Sequence, residues 1–206
     1  MSIKAFVFDC GGVVLRDGDT SPYLQWAKRL GLTEAELRLR LWGGESWKQA
    51  ELGYLSEEAF WQHVAPSLGL EDADMVRQMA ADIWSTWRVD ADVLALIDEL
   101  RSTYRVAMLS NATDVLEARL RETFGVADRF ELILNSARLG VAKPDERVYA
   151  ELCQRLGLEP REIVFVDDRV ENIVAAENHG LHVAWFLGPA ELARQVAAIR
   201  NHDRSA

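Results

Sequence analysis

The chain has 206 residues, 49% of them hydrophobic and 27% charged, and it carries a formal net charge of -10. This composition supports a substantial buried core and argues against disorder, while the acidic balance argues against a nucleic-acid partner, whose phosphates require a basic face. No apolar stretch approaches the ~20 residues that span a bilayer, and residues 1–5 lack a signal-peptide pattern, so we expect a cytoplasmic protein without a membrane partner.

Hydrophobic periodicity predicts one strand and then a long helical segment. The apolar run Ala5–Phe8 leads into Asp9, as expected of a buried parallel strand. A polar, turn-rich stretch over residues 16–22 predicts that the chain then leaves the core. Apolar residues three or four positions apart predict four helices that form a compact bundle, over residues 23–30, 34–41, 56–68 and 72–87.

From residue 90 onwards, predicted helices and strands alternate. The strands cover residues 105–110, 131–136, 163–167 and 182–187. The helices cover residues 91–104, 115–124, 146–156, 170–179 and 190–200, and a frayed tail follows at 201–206. This alternation predicts an α/β fold with a doubly wound parallel sheet. Residues 1–15 and 88–206 would form the core domain, and residues 16–87 a helical cap inserted into it.

Four short polar segments lie at predicted strand ends or beside predicted helix starts. Ligands of open α/β sheets bind outside the carboxyl ends of the strands, so we expect these segments to converge on one crevice. Together they offer the groups that magnesium-dependent phosphoryl transfer requires. The segments are Asp9-Cys10-Gly11-Gly12, Ser110-Asn111, Lys143-Pro144, and Asp167-Asp168 followed by Asn172.

The order of these segments resembles the four motifs of the haloacid dehalogenase-like (HAD) hydrolase superfamily. The resemblance spans roughly the whole chain, because the helical segment after the first motif is similar to the cap of that family. It is nearest to the branch that contains sugar phosphatases and the N-terminal domain of epoxide hydrolases. The resemblance implies a Rossmann-like core and a phosphatase of a small phosphorylated metabolite, with a sugar phosphate as one candidate. It says nothing of the oligomeric state.

The candidate catalytic groups are Asp9, Ser110 and Lys143, and the candidate phosphate-binding groups are Ser110, Asn111 and Lys143. A carboxylate such as Asp9 can attack phosphorus and form an aspartyl-phosphate. Ser110 and Asn111 offer a hydroxyl and backbone N–H groups near a helix start, which suit a phosphate. The ammonium of Lys143 would bind the phosphate and stabilise charge on the transferring phosphoryl group.

The remaining motif residues are candidates for a Mg²⁺ site. Asp9, the backbone carbonyl of Gly11 and Asp168 would supply hard oxygen ligands, and Asp168 corresponds to the metal-binding acid of the resembled family. Asp167 is expected to orient Lys143 or the water shell of the ion. Asn172 lies four positions beyond Asp168 and would hydrogen-bond a water of that shell.

Gly11 stands where a second acidic residue would be expected. Many phosphatases of the resembled family carry a second aspartate two residues after the nucleophile, where it acts as general acid and base. A similar branch lacks this acid and still includes sugar phosphatases, so we expect the reaction class to be kept. We expect a preference for leaving groups that need little proton donation, such as sugar 1-phosphates.

Three other functions are compatible with parts of the sequence. Dehalogenation of a haloacid would use the same nucleophile, but that branch does not need Mg²⁺ and typically lacks the acidic pair Asp167-Asp168. The second alternative is a weakly catalytic binding or regulatory module with the same fold. The Cys10 and Arg16 spacing suits a cysteine-dependent phosphatase, yet the apolar residues between them indicate buried chain rather than a phosphate cradle.

Five tryptophans concentrate in the predicted cap region and its edge. Helical spacing predicts that most of them belong to the core of the bundle. One or two are expected to face the substrate, where an indole can stack on a sugar ring. They are Trp42, Trp47, Trp61, Trp84 and Trp87.

Overall fold

The computed structural model describes residues 2–205 and has a five-stranded parallel sheet at its centre. The strands are β1 (Ala5–Phe8), β2 (Leu15–Asp17), β3 (Trp87–Val89), β4 (Arg105–Ser110), β5 (Leu132–Asn135), β6 (Ile163–Asp167) and β7 (His182–Trp185). The sheet has the order β5-β4-β1-β6-β7, and each neighbouring pair is parallel. Every residue of β1 and β6 is buried, because helices cover both faces, and this explains their continuous apolar runs.

Helices cover the sheet on both sides and also form a separate bundle. They are α1 (Ser21–Leu30), α2 (Glu34–Trp42), α3 (Glu45–Glu51), α4 (Glu57–Val64), α5 (Ala73–Trp84), α6 (Ala91–Leu100), α7 (Leu116–Glu122), α8 (Ser136–Leu139), α9 (Glu146–Leu156), α10 (Val170–Asn178) and α11 (Pro189–Ser205). Helices α6, α7 and α11 pack on one face of the sheet, against Phe6 and Phe8. Helices α9 and α10 pack on the other, against Ala5 and Val7. The predicted doubly wound α/β fold is confirmed.

Helices α1 to α5 enclose a hydrophobic core of their own, which includes Tyr23, Leu37, Phe60 and Ile83. The chain leaves the sheet through β2 and returns through β3, and these two strands form an antiparallel ribbon in which Leu15 pairs with Val89. The predicted domain boundaries, between residues 15 and 16 and between 87 and 88, both fall inside this ribbon. The division into core and cap stays a prediction.

The four-helix prediction for the bundle was wrong. Helix α3 is short and follows two glycines, so its few apolar positions gave no period to detect. Pro66 ends the predicted helix 56–68 early, because a proline cannot donate the backbone hydrogen bond of a helix interior; α4 stops at Val64 and a 3-10 turn, Ala65–Leu68, follows. The predicted helix 72–87 ends at Trp84, since Trp87 already belongs to β3.

The C-terminal segment also differs from its prediction. Helix α11 continues to Ser205, so residues 201–205 are helical rather than a frayed tail, and Ala206 lies outside the described residues. Over residues 2–205 we find no helix with the length and apolar character needed to span a membrane.

Candidate active site

The three central strands of the sheet bring the predicted site residues to one edge. Asp9 follows β1 directly, Ser110 ends β4 and Asp167 ends β6, and β1 lies between the other two. All three side chains are buried. Parallel strands end at the same edge, so residues far apart in the chain meet there.

Lys143 is the centre of the polar contacts at this edge. Its Nζ donates to Asp9 Oδ1 at 2.7 Å, to Asp167 Oδ2 at 2.7 Å and to the Leu109 carbonyl at 3.0 Å. Burial disfavours the charged ammonium, but the carboxylates of Asp9 and Asp167 outweigh it and raise the pKa of Lys143 above its ordinary value. Lys143 therefore carries a positive charge between two buried acids.

Asn111 holds the backbone of Lys143 in place. Its Nδ2 donates to the Lys143 carbonyl at 2.8 Å, and its Oδ1 accepts from the Lys143 N–H at 2.8 Å. The side-chain amide of Asn111 is thus engaged by protein, so a phosphate would meet its backbone N–H. Helix α7 begins only at Leu116, which places this N–H in a loop rather than at a helix start.

Asp9, Asp167 and Asp168 form an acidic cluster, with one carboxylate oxygen of each within 4.8 Å of the others. Burial, and then the charge of Asp167, raises the pKa of Asp168. Burial is also the largest effect on Asp9 and raises its pKa to about 7, with Lys143 opposing the shift and Asp167 adding to it. One ammonium does not neutralise three carboxylates, so the cluster has the charge and the donor set for a divalent cation.

Asp167 and Asp168 differ in how their oxygens are used. Asp167 accepts hydrogen bonds from Lys143, from Asn172 Nδ2 at 3.0 and 3.1 Å, and from the Arg169 N–H at 2.9 Å. Asp168 is exposed towards the cleft. Its oxygens are more available to an ion than those of the fully buried Asp167.

Two further observations support the fit of an ion at this cluster. A Cβ on Gly12 would lie 2.2 Å from Asp168 Oδ2, and Gly12 has φ +85°, so only glycine leaves room for the acid. Asn172 Oδ1 is buried without a hydrogen-bond partner and its side chain lines the cleft. A water of the ion's shell would satisfy this acceptor.

Gly11 lies beneath an indole ring. A Cβ at Gly11 would be 3.4 Å from Trp87 Cη2, in van der Waals contact. A side chain at position 11 would therefore pack against the indole of Trp87. Metal binding by the Gly11 carbonyl stays a prediction.

A cleft of about 490 Å³ separates the acidic cluster from the helical bundle. Four tryptophans line it, and we call them the aromatic wall: Trp42, Trp47, Trp84 and Trp87. The prediction that most tryptophans belong to the bundle core is confirmed, because Trp61 is buried in that core and Trp42, Trp47 and Trp84 pack against it. More of them line the cleft than the one or two that were expected. Helical spacing marks an apolar face but does not say which end of a bundle faces the sheet.

A smaller apolar pocket of about 90 Å³ adjoins the cleft, and Gly11, Trp84 and Trp87 line both. Ser110 faces this side pocket rather than the main cleft. Phosphate contact by the Ser110 hydroxyl stays a prediction.

The cysteine-phosphatase alternative fails on geometry. Cys10 is buried in the hydrophobic core, and burial raises the pKa of its thiol far above the range in which a thiolate forms. Arg16 donates to Asp90 at 2.8 Å and does not cradle an anion beside Cys10.

Comparison with known proteins gives one family and several relatives. The family model for haloacid dehalogenase-like hydrolases matches residues 3–180. A sesquiterpene phosphatase of Aspergillus oryzae is 28% identical, covering 87% of this chain and 88% of the relative. A D-ribitol-5-phosphate phosphatase of Bacteroides thetaiotaomicron is 27% identical, covering 97% and 99%. An (S)-2-haloacid dehalogenase of Burkholderia cepacia is 28% identical, covering 88% and 81%.

A solved structure supports both the fold and the ion. It is a HAD family enzyme of Bacteroides thetaiotaomicron, crystallised with magnesium and inorganic phosphate. The TM-score is 0.73 at 25% identity, and the match covers 89% of this chain and 93% of that one. With the acidic cluster of Asp9, Asp167 and Asp168, it identifies Mg²⁺ as the ion that suits this site.

Proposed function

The chain belongs to the haloacid dehalogenase-like hydrolases, and from that membership we propose that it is a Mg²⁺-dependent phosphatase of a small phosphorylated metabolite. The reaction would pass through an aspartyl-phosphate on Asp9. One observation carries the proposal: Lys143 bridges Asp9 and Asp167 beside the exposed Asp168, so that a nucleophile, a cation and an ion-binding acid share one crevice.

Each residue has a distinct part in the proposed reaction. Lys143 holds Asp9 Oδ1, and Asp9 Oδ2 is the oxygen that we assign to attack on phosphorus. The ammonium of Lys143 then stabilises the charge on the phosphoryl oxygens. Asp167 and Asn111 position Lys143. Mg²⁺, held by Asp9, Asp168 and the Gly11 carbonyl, would neutralise the phosphate and the carboxylates when it is bound.

A parallel assay of two substrate classes tests this proposal against the dehalogenase alternative. The protein is offered a panel of phosphate monoesters and, separately, a short 2-haloacid, each with Mg²⁺ and with a chelator. We expect phosphate release that requires Mg²⁺ and no halide release. Halide release without Mg²⁺ would support the alternative. Activity on neither class would leave a binding module as the better account.

The acidic pair gives a prediction about metal dependence. Asp168→Ala is expected to raise the Mg²⁺ concentration for half-maximal activity by about 100-fold or more, because it removes a direct ligand. Asp167→Asn keeps the shape of a residue whose contacts are to Lys143 and Asn172, so its midpoint should shift by about 10-fold or less. Mg²⁺ titration of both variants checks this. Equal shifts would contradict the assignment of Asp168 as the ligand.

The cap side of the cleft favours an apolar organic group on the substrate. The aromatic wall supplies flat apolar surface, and the nearby Arg38 is already engaged: it pairs with Asp17 at 3.1 Å and Glu34 at 2.8 Å and lies 3.6 Å from the ring centre of Tyr23. Arg38 is therefore not free to bind the hydroxyls of a sugar. The relative that acts on sesquiterpenes supports a prenyl or aryl phosphate, and the one that acts on D-ribitol 5-phosphate supports a polyol.

A substrate comparison decides between these classes. We expect kcat/KM for a prenyl phosphate to exceed that for ribitol 5-phosphate by about 10-fold or more. Trp87→Ala should lower the prenyl value by about 10-fold and the ribitol value little, and Trp87→Phe should restore part of it. The indole N–H of Trp87 has no partner, so the change removes packing alone. Leu39→Ala, at an exposed cap position, is the control. A ribitol preference that Trp87→Ala leaves unchanged would contradict an apolar substrate.

A further inference from the structure

Glu51 is a cap carboxyl that faces the catalytic cleft. It is the last residue of α3 and lines the cleft together with Asp9, Gly11 and Lys143. The side chain is partly buried, and none of the ion pairs recorded for residues 2–205 includes it. Glu51 thus lines the same cleft as the nucleophile Asp9, and the mechanism above does not use it.

The turn after Glu51 is anchored to the core. Gly53 has φ +75°, and a Cβ there would lie 2.1 Å from the Ala137 carbonyl oxygen, so this turn fits closely against α8. The backbone N–H of Glu57 donates to Asp114 Oδ1 at 2.8 Å. The Glu57 carboxylate accepts two hydrogen bonds from Arg119, at 2.7 and 3.0 Å. These contacts hold the end of α3 in a defined position relative to the sheet.

The surroundings of Glu51 raise the pKa of its carboxyl above the ordinary value. Burial raises the pKa of Glu51, and Trp47, Arg169, Lys143 and Lys48 oppose the shift without cancelling it. A carboxyl with a raised pKa keeps more of its proton near neutral pH, and a general acid works best with a pKa near the operating pH.

We propose that Glu51 is the general acid and base that replaces the aspartate missing at Gly11. This inference rests on the proposed phosphatase function. Gly11 has no side chain to donate a proton, and a Cβ there would contact the indole of Trp87, so the proton has to come from another residue of the cleft. Of the carboxyls that line the cleft, Asp9 and Asp168 have other roles, and Asp17 is paired with Arg38, which leaves Glu51 on the cap side.

The reaction has two steps, and the proton that Glu51 gives up in the first is regained in the second. In the first, Asp9 Oδ2 forms a bond to phosphorus, the ester P–O bond breaks, and the Glu51 carboxyl gives its proton to the leaving oxygen, which departs as an alcohol. In the second, the Glu51 carboxylate takes a proton from water, the water oxygen forms a bond to phosphorus, and the bond between phosphorus and Asp9 Oδ2 breaks. Phosphate leaves, and both Asp9 and Glu51 return to their starting states. No oxidant, reductant or further reactant is needed.

The test uses the dependence on leaving group, which a structural role would not change. In Glu51→Gln, kcat/KM for an alkyl phosphate should fall by about 10²-fold or more, because general acid catalysis is typically worth 10²- to 10⁴-fold. For p-nitrophenyl phosphate, whose leaving group needs little proton donation, it should fall by about 10-fold or less. The Mg²⁺ midpoint should not move, and Glu51→Asp should recover part of the alkyl activity. Glu45→Gln, at the exposed start of the same helix, is the control.

Other outcomes separate the failure of this inference from that of the phosphatase itself. Equal losses on both substrates, or none, would overturn the role of Glu51 while leaving the phosphatase in place. A wild type that hydrolyses no phosphate monoester with Mg²⁺ would overturn both. Should Glu51→Gln not fold, the wild type alone decides: a shallow dependence of kcat/KM on leaving-group pKa across alkyl and aryl phosphates supports a proton donor, and a steep one contradicts it.

Discussion

Asp9→Asn is expected to lower kcat for phosphate ester hydrolysis by roughly 10⁴-fold or more, because an amide oxygen is a poor nucleophile and the covalent route is lost. The change keeps the size of a buried side chain. Lys143 retains Asp167 and the Leu109 carbonyl as partners, so the fold should persist. Steady-state kinetics with Mg²⁺, together with a circular dichroism spectrum, measures both expectations.

Asp92→Asn is the matched control for this variant, since Asp92 is an exposed aspartate on α6 away from the cleft. It should keep wild-type activity. A folded Asp9→Asn protein that hydrolyses phosphate esters at the wild-type rate would contradict the assignment of Asp9 as nucleophile.

Lys143→Met is expected to abolish activity and also to destabilise the protein. Without the ammonium, the buried carboxylates of Asp9 and Asp167 face each other unpaired, and breaking a buried pair typically costs about 3–5 kcal/mol. Asn111 contacts only the Lys143 backbone, so the local chain path should survive the change. Urea unfolding without Mg²⁺ gives the loss in the free energy of unfolding.

A second substitution separates the electrostatic cost from lost packing. Adding Asp167→Asn to Lys143→Met removes one of the two unpaired charges, so stability should partly recover while activity does not. Lys48→Met, at an exposed position on α3, should leave both unchanged. A Lys143→Met protein as stable as the wild type would mean that this buried network does not hold the site together.

The sequence predicted the sheet and the strand ends that meet at its ligand edge, for a physical reason. Strands buried on both faces are continuous apolar runs. A polar residue marks the ligand edge of each: Asp9 follows β1 directly, Ser110 ends β4 and Asp167 ends β6. The assignment of Asp167 to orient Lys143 agrees with a contact of 2.7 Å in the structure. The effect of substituting Asp167 on the reaction is still a prediction.

The sequence predicted the helical bundle and its connection to the sheet less well, because these features depend on tertiary contact. The strands β2 and β3 have three residues each, too few to show a period, and they form only by pairing with each other. Asn111 has an ordinary turn composition, and nothing local indicates that its amide clamps a residue 32 positions away. Glu51 was missed for the same reason: it lies four positions after Trp47 on a short helix, and only the docking of the cap directs it into the cleft.

The most direct test of the central claim is to trap the covalent intermediate. The protein is mixed with Mg²⁺ and a phosphate ester that it hydrolyses, quenched in acid within the first turnover, and digested for mass spectrometry. We expect that the peptide containing Asp9 gains the mass of one phosphoryl group, that fragmentation places the group on Asp9, and that Asp9→Asn does not gain it. Rapid Mg²⁺-dependent hydrolysis with a peptide that remains unmodified at every quench time, or a phosphoryl group on another residue, would contradict the account.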